Sequence, residues 1–118
     1  MRDHRKLKAF QLADAFVVPI YQATRSFPKE EQFCLAFQMR KAVISVPGNI
    51  VEGCARRGHG EYVYHLNVAF GSLRELGYYV ELAQRVEYRS DAEAASLTRQ
   101  YEEIARVLSG LIDSLGDA

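Results

Sequence analysis

Apolar residues recur every three or four positions through residues 62 to 83, and this spacing limits what the chain can fold into. The positions alternate between steps of four and three: Tyr62, Leu66, Ala69, Leu73, Leu76, Val80 and Ala83. A step of three or four returns to the same side of an α-helix, whereas a β-strand needs a step of two. The pattern therefore predicts a long helix with one apolar seam of the coiled-coil type.

Three further segments show the helical period. The first covers residues 7 to 27 and contains Pro19, which predicts a bend or a split because proline lacks a backbone N–H. The last begins with Ser90-Asp91-Ala92-Glu93, a capping box in which serine and glutamate satisfy free helix amides, and Gly116 closes it. Its seam is Ala94, Leu97, Tyr101, Ile104, Leu108, Leu111 and Leu115.

The second helical segment runs from Glu30 onward and contains the string SVPGNIVEG at residues 45 to 53. The steps of four and three continue through Pro47, in the seam Leu35, Met39, Ala42, Val46, Asn49 and Gly53. A loop would have no reason to keep this period, so we predict a helix that continues with a kink at Pro47. Asn49 then falls on the seam, where a buried amide would fix the register of packing. We interpret the following residues as a structural motif: Ser45, Pro47, Asn49, Glu52, Gly53, Ser72 and Glu75.

Four helices with short connections predict an all-α fold, an antiparallel up-down four-helix bundle with a kinked second helix. The 118 residues fit one domain, over residues 1–118. No apolar run approaches the roughly 20 residues that cross a bilayer, and no signal-peptide pattern opens the chain. We therefore expect a cytoplasmic protein without membrane contact. Cys34 and Cys54 are then expected to be buried and unpaired.

A second row of residues on the third helix is displaced by two positions from the seam. Two residues rotate a helix by about 200°, so we expect this row to face away from the core. An aromatic second row is better explained by a protein partner than by solvent, and the partner it predicts is another copy of the chain. Isolated surface tyrosines are the alternative. The predicted interface comprises Val68, Phe70, Ser72, Glu75, Tyr78, Tyr79 and Leu82.

Lysine plus arginine balances aspartate plus glutamate at 15 each, so the net charge does not attract nucleic acid. Basic clusters remain, however, at Arg56, Arg57 and His59 in the turn before the third helix, and at Arg40 with Lys41. Phosphate could meet these arginines together with the N-terminal amides of the third helix. The five residues are therefore the candidate nucleic-acid contact, and an ordinary solvated turn is the alternative.

The sequence gives only weak indications of a phosphate-binding loop, a metal site or a catalytic site. The string GNIVEGCARRGHG lacks the lysine and hydroxyl residue that complete a P-loop, and the histidines have no metal-ligand spacing. We therefore expect no metal and no cofactor. A small hydrolytic or redox enzyme would use Glu52 with Glu75, or Cys54 activated by the neighbouring arginines. We favour structural roles for these three residues and expect no catalytic residue.

Two strings of the sequence carry a family resemblance: FPKEEQFCLAFQMRKAVISVPGNIVEG from Phe27, and EYVYHLNVAFGSLRELGYYVELA from Glu61. Over roughly residues 10 to 115 the chain resembles the 23S rRNA-intervening-sequence proteins, also called S23-type. It is also similar to the accessory variability proteins of diversity-generating retroelements. The matching positions are Phe27, Pro28, Glu30, Gln38, Arg40, Ala42, Ser45, Pro47, Asn49, Ile50, Glu52, Gly53, Glu61, Ala69, Gly71, Ser72, Leu73, Glu75 and Leu76.

The resemblance implies a cytosolic four-helix bundle that assembles into a ring-like homo-oligomer, a pentamer, in a family mostly without known biochemical activity. The accessory variability members are strongly basic and bind nucleic acid and a reverse transcriptase, whereas the charges of this chain balance. We therefore expect a non-enzymatic binding or scaffolding protein that associates with itself and, through its basic clusters, with structured RNA or DNA or with a nucleic-acid-processing complex. The alternatives are the small enzyme and a purely structural assembly with an unknown protein partner.

Overall fold

Four α-helices form the fold in the computed structural model, which describes residues 2–116. They are α1 (Lys8–Arg25), α2 (Leu35–Ala55), α3 (His59–Arg85) and α4 (Asp91–Leu115), and 3-10 helices at His4–Lys6 and Lys29–Glu31 precede α1 and α2. Each helix packs on the next, and α1 also packs on α4, so the described residues close into the predicted four-helix bundle without a strand. Residues 1, 117 and 118 of the predicted domain lie outside the described part.

The core is built mainly from the predicted seams. Every residue of the α3 seam, from Tyr62 to Ala83, is buried. The buried side of α2 is wider than its predicted seam, because α2 packs on both α1 and α3. Asn49 is only half-buried, so the expectation that its amide lies within the core is wrong. The α4 seam is fully buried at Ala94, Leu97, Ile104 and Leu108 and half-buried at its other positions.

Both α1 and α2 continue through an internal proline. Pro19 lies inside α1 without splitting it, and Pro47 lies inside α2, which confirms the prediction of a continuous second helix. Pro47 cannot donate to the carbonyl of Val43, one turn before it, so a bend at this point remains our expectation. The Pro47 ring is itself buried and forms part of the side of α2 that faces the core.

The start of α2 differs from the prediction. The helix begins at Leu35 rather than near Glu30, and a 3-10 helix followed by a turn occupies the residues before it. Contacts from distant residues hold this connection. The Gln32 amide donates to the backbone oxygens of Thr24 and Phe27 at 3.3 and 3.1 Å, and the Tyr88 hydroxyl donates to Glu31 at 3.0 Å. These contacts compete with the local preference for helix, so α2 begins later in the sequence than predicted.

The predicted ends of α4 are confirmed. Ser90 and Glu93 form the reciprocal capping box, and Gly116 has a positive φ of 72° at the C-terminal cap. Of the two cysteines, Cys54 is buried as expected, whereas Cys34 is exposed because it lies in the turn before α2. No helix within residues 2–116 combines the length and the apolar character required to cross a bilayer.

Candidate functional site

A chain of polar side chains joins α2 to α3 along the predicted motif. The hydroxyl oxygens of Ser45 and Ser72 lie 2.8 Å apart in a hydrogen bond between the two helices. The Asn49 amide nitrogen donates to the Ser45 carbonyl oxygen at 2.9 Å and to its hydroxyl at 3.0 Å. All three residues are half-buried, so these bonds are partly shielded from competing water.

The polar chain continues to the solvent through His65, which the sequence did not single out for this role. His65 Nδ1 lies 3.4 Å from the Asn49 side-chain oxygen, and Nε2 lies 3.9 Å from Glu52 Oε1. Glu52 Oε1 also accepts a hydrogen bond from Arg56 Nη2 at 2.9 Å. The only sequence signal for His65 is its position beside the α3 seam, on the flank that meets α2.

Gly53 allows α2 and α3 to approach closely beside this polar chain. A Cβ added to Gly53 would lie 2.9 Å from the Cβ of His65 and 3.3 Å from the backbone oxygen of Tyr62. Atoms so near the α3 backbone cannot move aside independently of the helix. The glycine at this position of the motif is therefore explained by helix contact and needs no bound ligand.

Cys54 lies on the core side of α2, next to Tyr62. Burial raises the pKa of the Cys54 thiol, and the Arg2 guanidinium opposes this effect only in part. The pKa of Tyr62 is also raised, again mainly by burial. Since only a thiolate is a strong nucleophile, this environment disfavours the reactive form of Cys54.

The two glutamates of the hypothetical acid/base pair lie at different heights along the bundle. Ser72 faces Ser45, and α2 and α3 run antiparallel, so Glu75 lies level with Ala42. Ala42 precedes Glu52 by ten residues, which corresponds to about 15 Å along a helix. The geometry therefore gives no support to joint acid/base chemistry by Glu52 and Glu75.

One end of the bundle collects basic side chains from two parts of the sequence. Arg2 Nη1 donates to the backbone oxygen of Arg56 at 3.0 Å, and its guanidinium lies 3.9 Å from the centre of the Tyr62 ring. Arg2, Arg56 and Arg57 together line a shallow depression on the surface. We call these three residues the basic end. Arg2 stands in the sequence with Arg5, Lys6 and Lys8, whereas its association with the turn after α2 is a tertiary contact.

The other predicted nucleic-acid contacts are not part of the basic end. His59 is exposed at the start of α3, and its Nε2 lies 3.1 Å from the backbone oxygen of Leu115, so it joins α3 to the end of α4. Arg40 is half-buried and donates to the Thr24 hydroxyl at 2.8 Å. It precedes Arg56 by sixteen residues, about 24 Å along α2, and Lys41 beside it is equally remote.

The predicted second row on α3 does not face directly away from the core. Ser72 contacts α2, while Phe70, Tyr79 and Leu82 are partly buried against the core. Val68 is half-buried, and only Glu75 and Tyr78 of the predicted set are exposed. The expectation that this row faces away from the core was wrong because the buried side of α3 is wide. A rotation of about 200° from one edge of that buried side ends at its other edge, which faces α2.

One family model matches most of the chain. The model of the 23S rRNA-intervening sequence proteins matches residues 5–110. The chain belongs to this family. The match includes all of the motif and the Arg56-Arg57 turn, whereas Arg2 precedes it. No curated protein matches the chain.

A solved structure supports the fold of this 23S rRNA-intervening sequence protein. It is that of a protein with unknown function from the S23 ribosomal protein family of Bacteroides thetaiotaomicron, with a TM-score of 0.82 and 24% sequence identity. The similarity covers 89% of this chain and 95% of that chain. At this level of identity the likeness concerns the fold alone.

Proposed function

We propose that this 23S rRNA-intervening sequence protein is a non-enzymatic, cytoplasmic scaffold that forms a ring-like homo-oligomer, a pentamer, and binds structured RNA through its basic end. The observation that carries the proposal is the convergence of Arg2, Arg56 and Arg57 on one exposed depression. Arginine presents several N–H donors in a planar fork that suits phosphate, and phosphate contacts dominate the affinity of proteins for nucleic acid.

The charges around the basic end favour Arg57 as its principal phosphate contact. The Arg56 guanidinium forms an ion pair with the Glu52 carboxylate at 2.9 Å, and Arg5 forms one with Asp3 at 3.1 Å. Arg57 is exposed and makes no ion pair within 4.0 Å among the described residues. Arg57 also stands two residues before the start of α3, where helix amides add positive potential and Glu61 in the first turn opposes it.

Oligomerisation is part of the proposal because one neutral chain provides only a weak field. Positive and negative side chains balance at 15 each, so a single copy attracts RNA only through its local cluster. A ring repeats the basic end once per copy and presents the repeats to one RNA molecule together. Linked weak contacts gain affinity by effective concentration without any new type of contact.

A binding role agrees better with the chemistry of the candidate residues than a hydrolytic or redox role. The Cys54 thiol is buried and its pKa is raised, and Glu52 and Glu75 are separated along the bundle. Among residues 2–116, no cluster of three or more histidine, cysteine or acidic side chains has the geometry to hold a metal ion.

The test compares two double variants that remove the same charge. Arg56→Ala with Arg57→Ala changes the basic end, whereas Arg99→Ala with Arg106→Ala changes the exposed side of α4. Fluorescence anisotropy with a labelled RNA hairpin is measured over a range of salt concentrations. We expect the first variant to reduce the slope of log Kd against log salt by about 1 to 2 for each copy in contact, because Arg57 is free and Arg56 is already paired with Glu52. The second should bind as the unchanged protein does.

Two results would contradict the proposed RNA binding. One is an unchanged protein without salt-sensitive affinity for the hairpin, and the other is an equal loss in both double variants. Light scattering after size exclusion tests the oligomer separately, and a mass equal to that of one chain would refute that part.

A further inference from the structure

The outer side of α2 carries an apolar row that the bundle itself does not cover. Phe37, Ile44 and Val51 lie seven residues apart, and these residues are 50%, 48% and 37% exposed. Phe33, just before the helix, is 89% exposed. Gly48 lies in the same row, and an added Cβ there would meet no atom within 4 Å. We call Phe37, Ile44 and Val51 the α2 row. Sustained apolar steps of seven are typical of a helix that packs against another helix.

A second uncovered row lies on the outer side of α3. Tyr64 and Tyr78 are 62% and 51% exposed and stand fourteen residues apart. Gly71 lies midway between them, and the space beside it is also empty. We call Tyr64, Gly71 and Tyr78 the α3 row. It shares Tyr78 with the interface predicted by sequence, whose other residues are mostly half-buried.

We propose that the α2 row of one copy packs antiparallel on the α3 row of the next copy, which deepens and rests on the proposed oligomer. The spacings agree, because both rows advance in steps of seven residues. When Ile44 is placed beside Gly71, Phe37 lies beside Tyr78 and Val51 beside Tyr64. The large Ile44 side chain then meets the glycine, and the two tyrosines meet the other apolar residues.

The direction of the helices agrees with a ring. In a ring whose axis runs along the bundle, α2 has the same direction in every copy, and α3 is antiparallel to it. Packing of α2 on the neighbouring α3 is therefore antiparallel by symmetry. The two rows are different surfaces, so the contact is head-to-tail, the type that closes into a ring.

Charge complementarity supports another copy as the occupant. Lys41 lies one turn before Ser45, and Glu75 lies one turn after Ser72, so each stands on the flank that faces the other helix of the chain. In the antiparallel register above, Lys41 of one copy lies level with Arg74 of the next and one residue from Glu75. Helical geometry places Glu75 on the same side of the α3 row as Lys41 and Arg74 on the opposite side, so Lys41 is nearer to the carboxylate than to the guanidinium. Both side chains are exposed, and neither makes an ion pair within 4.0 Å in the described chain.

The first experiment measures the mass of apolar-to-acidic variants by size exclusion with light scattering. Ile44→Glu should reduce the oligomer to the mass of one chain, because the carboxylate would be desolvated between the two rows. Ala95→Glu makes the same charge change on the exposed side of α4 and should leave the mass unchanged. Circular dichroism establishes that each variant remains helical. A folded Ile44→Glu variant that keeps the mass of the unchanged oligomer would overturn the proposed contact.

The second experiment reverses the charge of two exposed residues, so it leaves the buried residues of the core unchanged. Lys41→Glu and Glu75→Lys should each lower the oligomer mass, and the two changes in one chain should restore it. Mixing the two single variants should also raise the mass, because each provides the opposite charge to the other. Restoration within one chain but not by mixing would place the pair inside the chain and overturn the proposal.

The outcome for the unchanged protein separates the two hypotheses. If it has the mass of one chain, the proposed oligomer fails. If it is an oligomer that the α2 and α3 variants do not dissociate, the oligomer stands and only the pairing of these rows fails.

Discussion

Gly53 and Gly110 are helical glycines that differ in their surroundings. A Cβ at Gly53 would crowd His65 and the Tyr62 backbone, whereas a Cβ at Gly110 of α4 would meet no atom within 4 Å. We expect Gly53→Ala to lower the free energy of unfolding by about 1–3 kcal/mol, because α2 and α3 must separate. Gly110→Ala should raise it by about 0.5–1 kcal/mol, because alanine favours the helix. Urea denaturation of both variants measures the difference, and equal effects would contradict this explanation.

His65 and Arg2 show why part of the candidate site could not be predicted at the scale of single residues. The motif residues on α2 stand close together in the sequence, and their helical spacing already indicated one packed element. His65 joins them from α3, and Arg2 reaches Arg56 across 54 positions of the chain. Such contacts depend on which flanks of two helices meet, and one sequence does not specify this rotation.

At the scale of elements, the regular parts of the helices were predictable and their irregular ends less so. The α3 seam and the α4 capping box follow from local spacing, and both are present. The start of α2 was misplaced because Gln32 and Tyr88 hold the connection by contacts with distant residues. Pro47 did not end the helix, since the apolar period on both sides of it outweighs the loss of one hydrogen bond.

The start of α4 provides a prediction about pH. The Ser90 hydroxyl and Arg89 donate hydrogen bonds to the Glu93 carboxylate, which lowers the pKa of Glu93 below its ordinary value of 4.5. A carboxyl whose pKa is lowered in the folded state stabilises the fold above its unfolded pKa. That stabilisation is lost as the pH falls below 4.5 and through the lower folded value.

We therefore expect the stability of the bundle to fall at acid pH in part through this cap. Glu93→Gln keeps the size of the side chain but cannot ionise, so its unfolding free energy should depend less on pH. Glu102→Gln, on the exposed side of α4 and outside the cap, is the control. Urea titrations above and below pH 4.5 compare the variants, and the same pH dependence in all three proteins would argue against a role of the Glu93 carboxylate.

At the scale of the whole molecule, the charges and the apolar surfaces have different roles. The outer side of α4 is polar, whereas α2 and α3 carry exposed apolar rows, so the polarity of the surface differs from one side of the bundle to another. The sequence predicted self-association from aromatic residues on α3, but it missed the α2 row. The steps of seven from Phe37 to Val51 were visible in the sequence, yet nothing there shows which side of a helix remains uncovered after the bundle closes.

Assembly and RNA binding are coupled in our proposals, and this coupling gives a last prediction. Ile44→Glu leaves Arg2, Arg56 and Arg57 unchanged, because Ile44 lies twelve residues before the basic end on α2. If the variant is a monomer, it presents one basic cluster on a chain without net charge, and the gain from linked contacts disappears. We expect its affinity for the RNA hairpin to fall by at least about tenfold, with a smaller dependence on salt.

The control for this prediction is Ala95→Glu, which adds the same negative charge on α4. Its affinity should remain close to that of the unchanged protein, so that a loss in Ile44→Glu is attributable to assembly and not to charge alone. Anisotropy and light scattering are measured on the same samples. A monomeric Ile44→Glu protein that binds the hairpin with full affinity would show that one basic end suffices, and the ring would then need a different explanation.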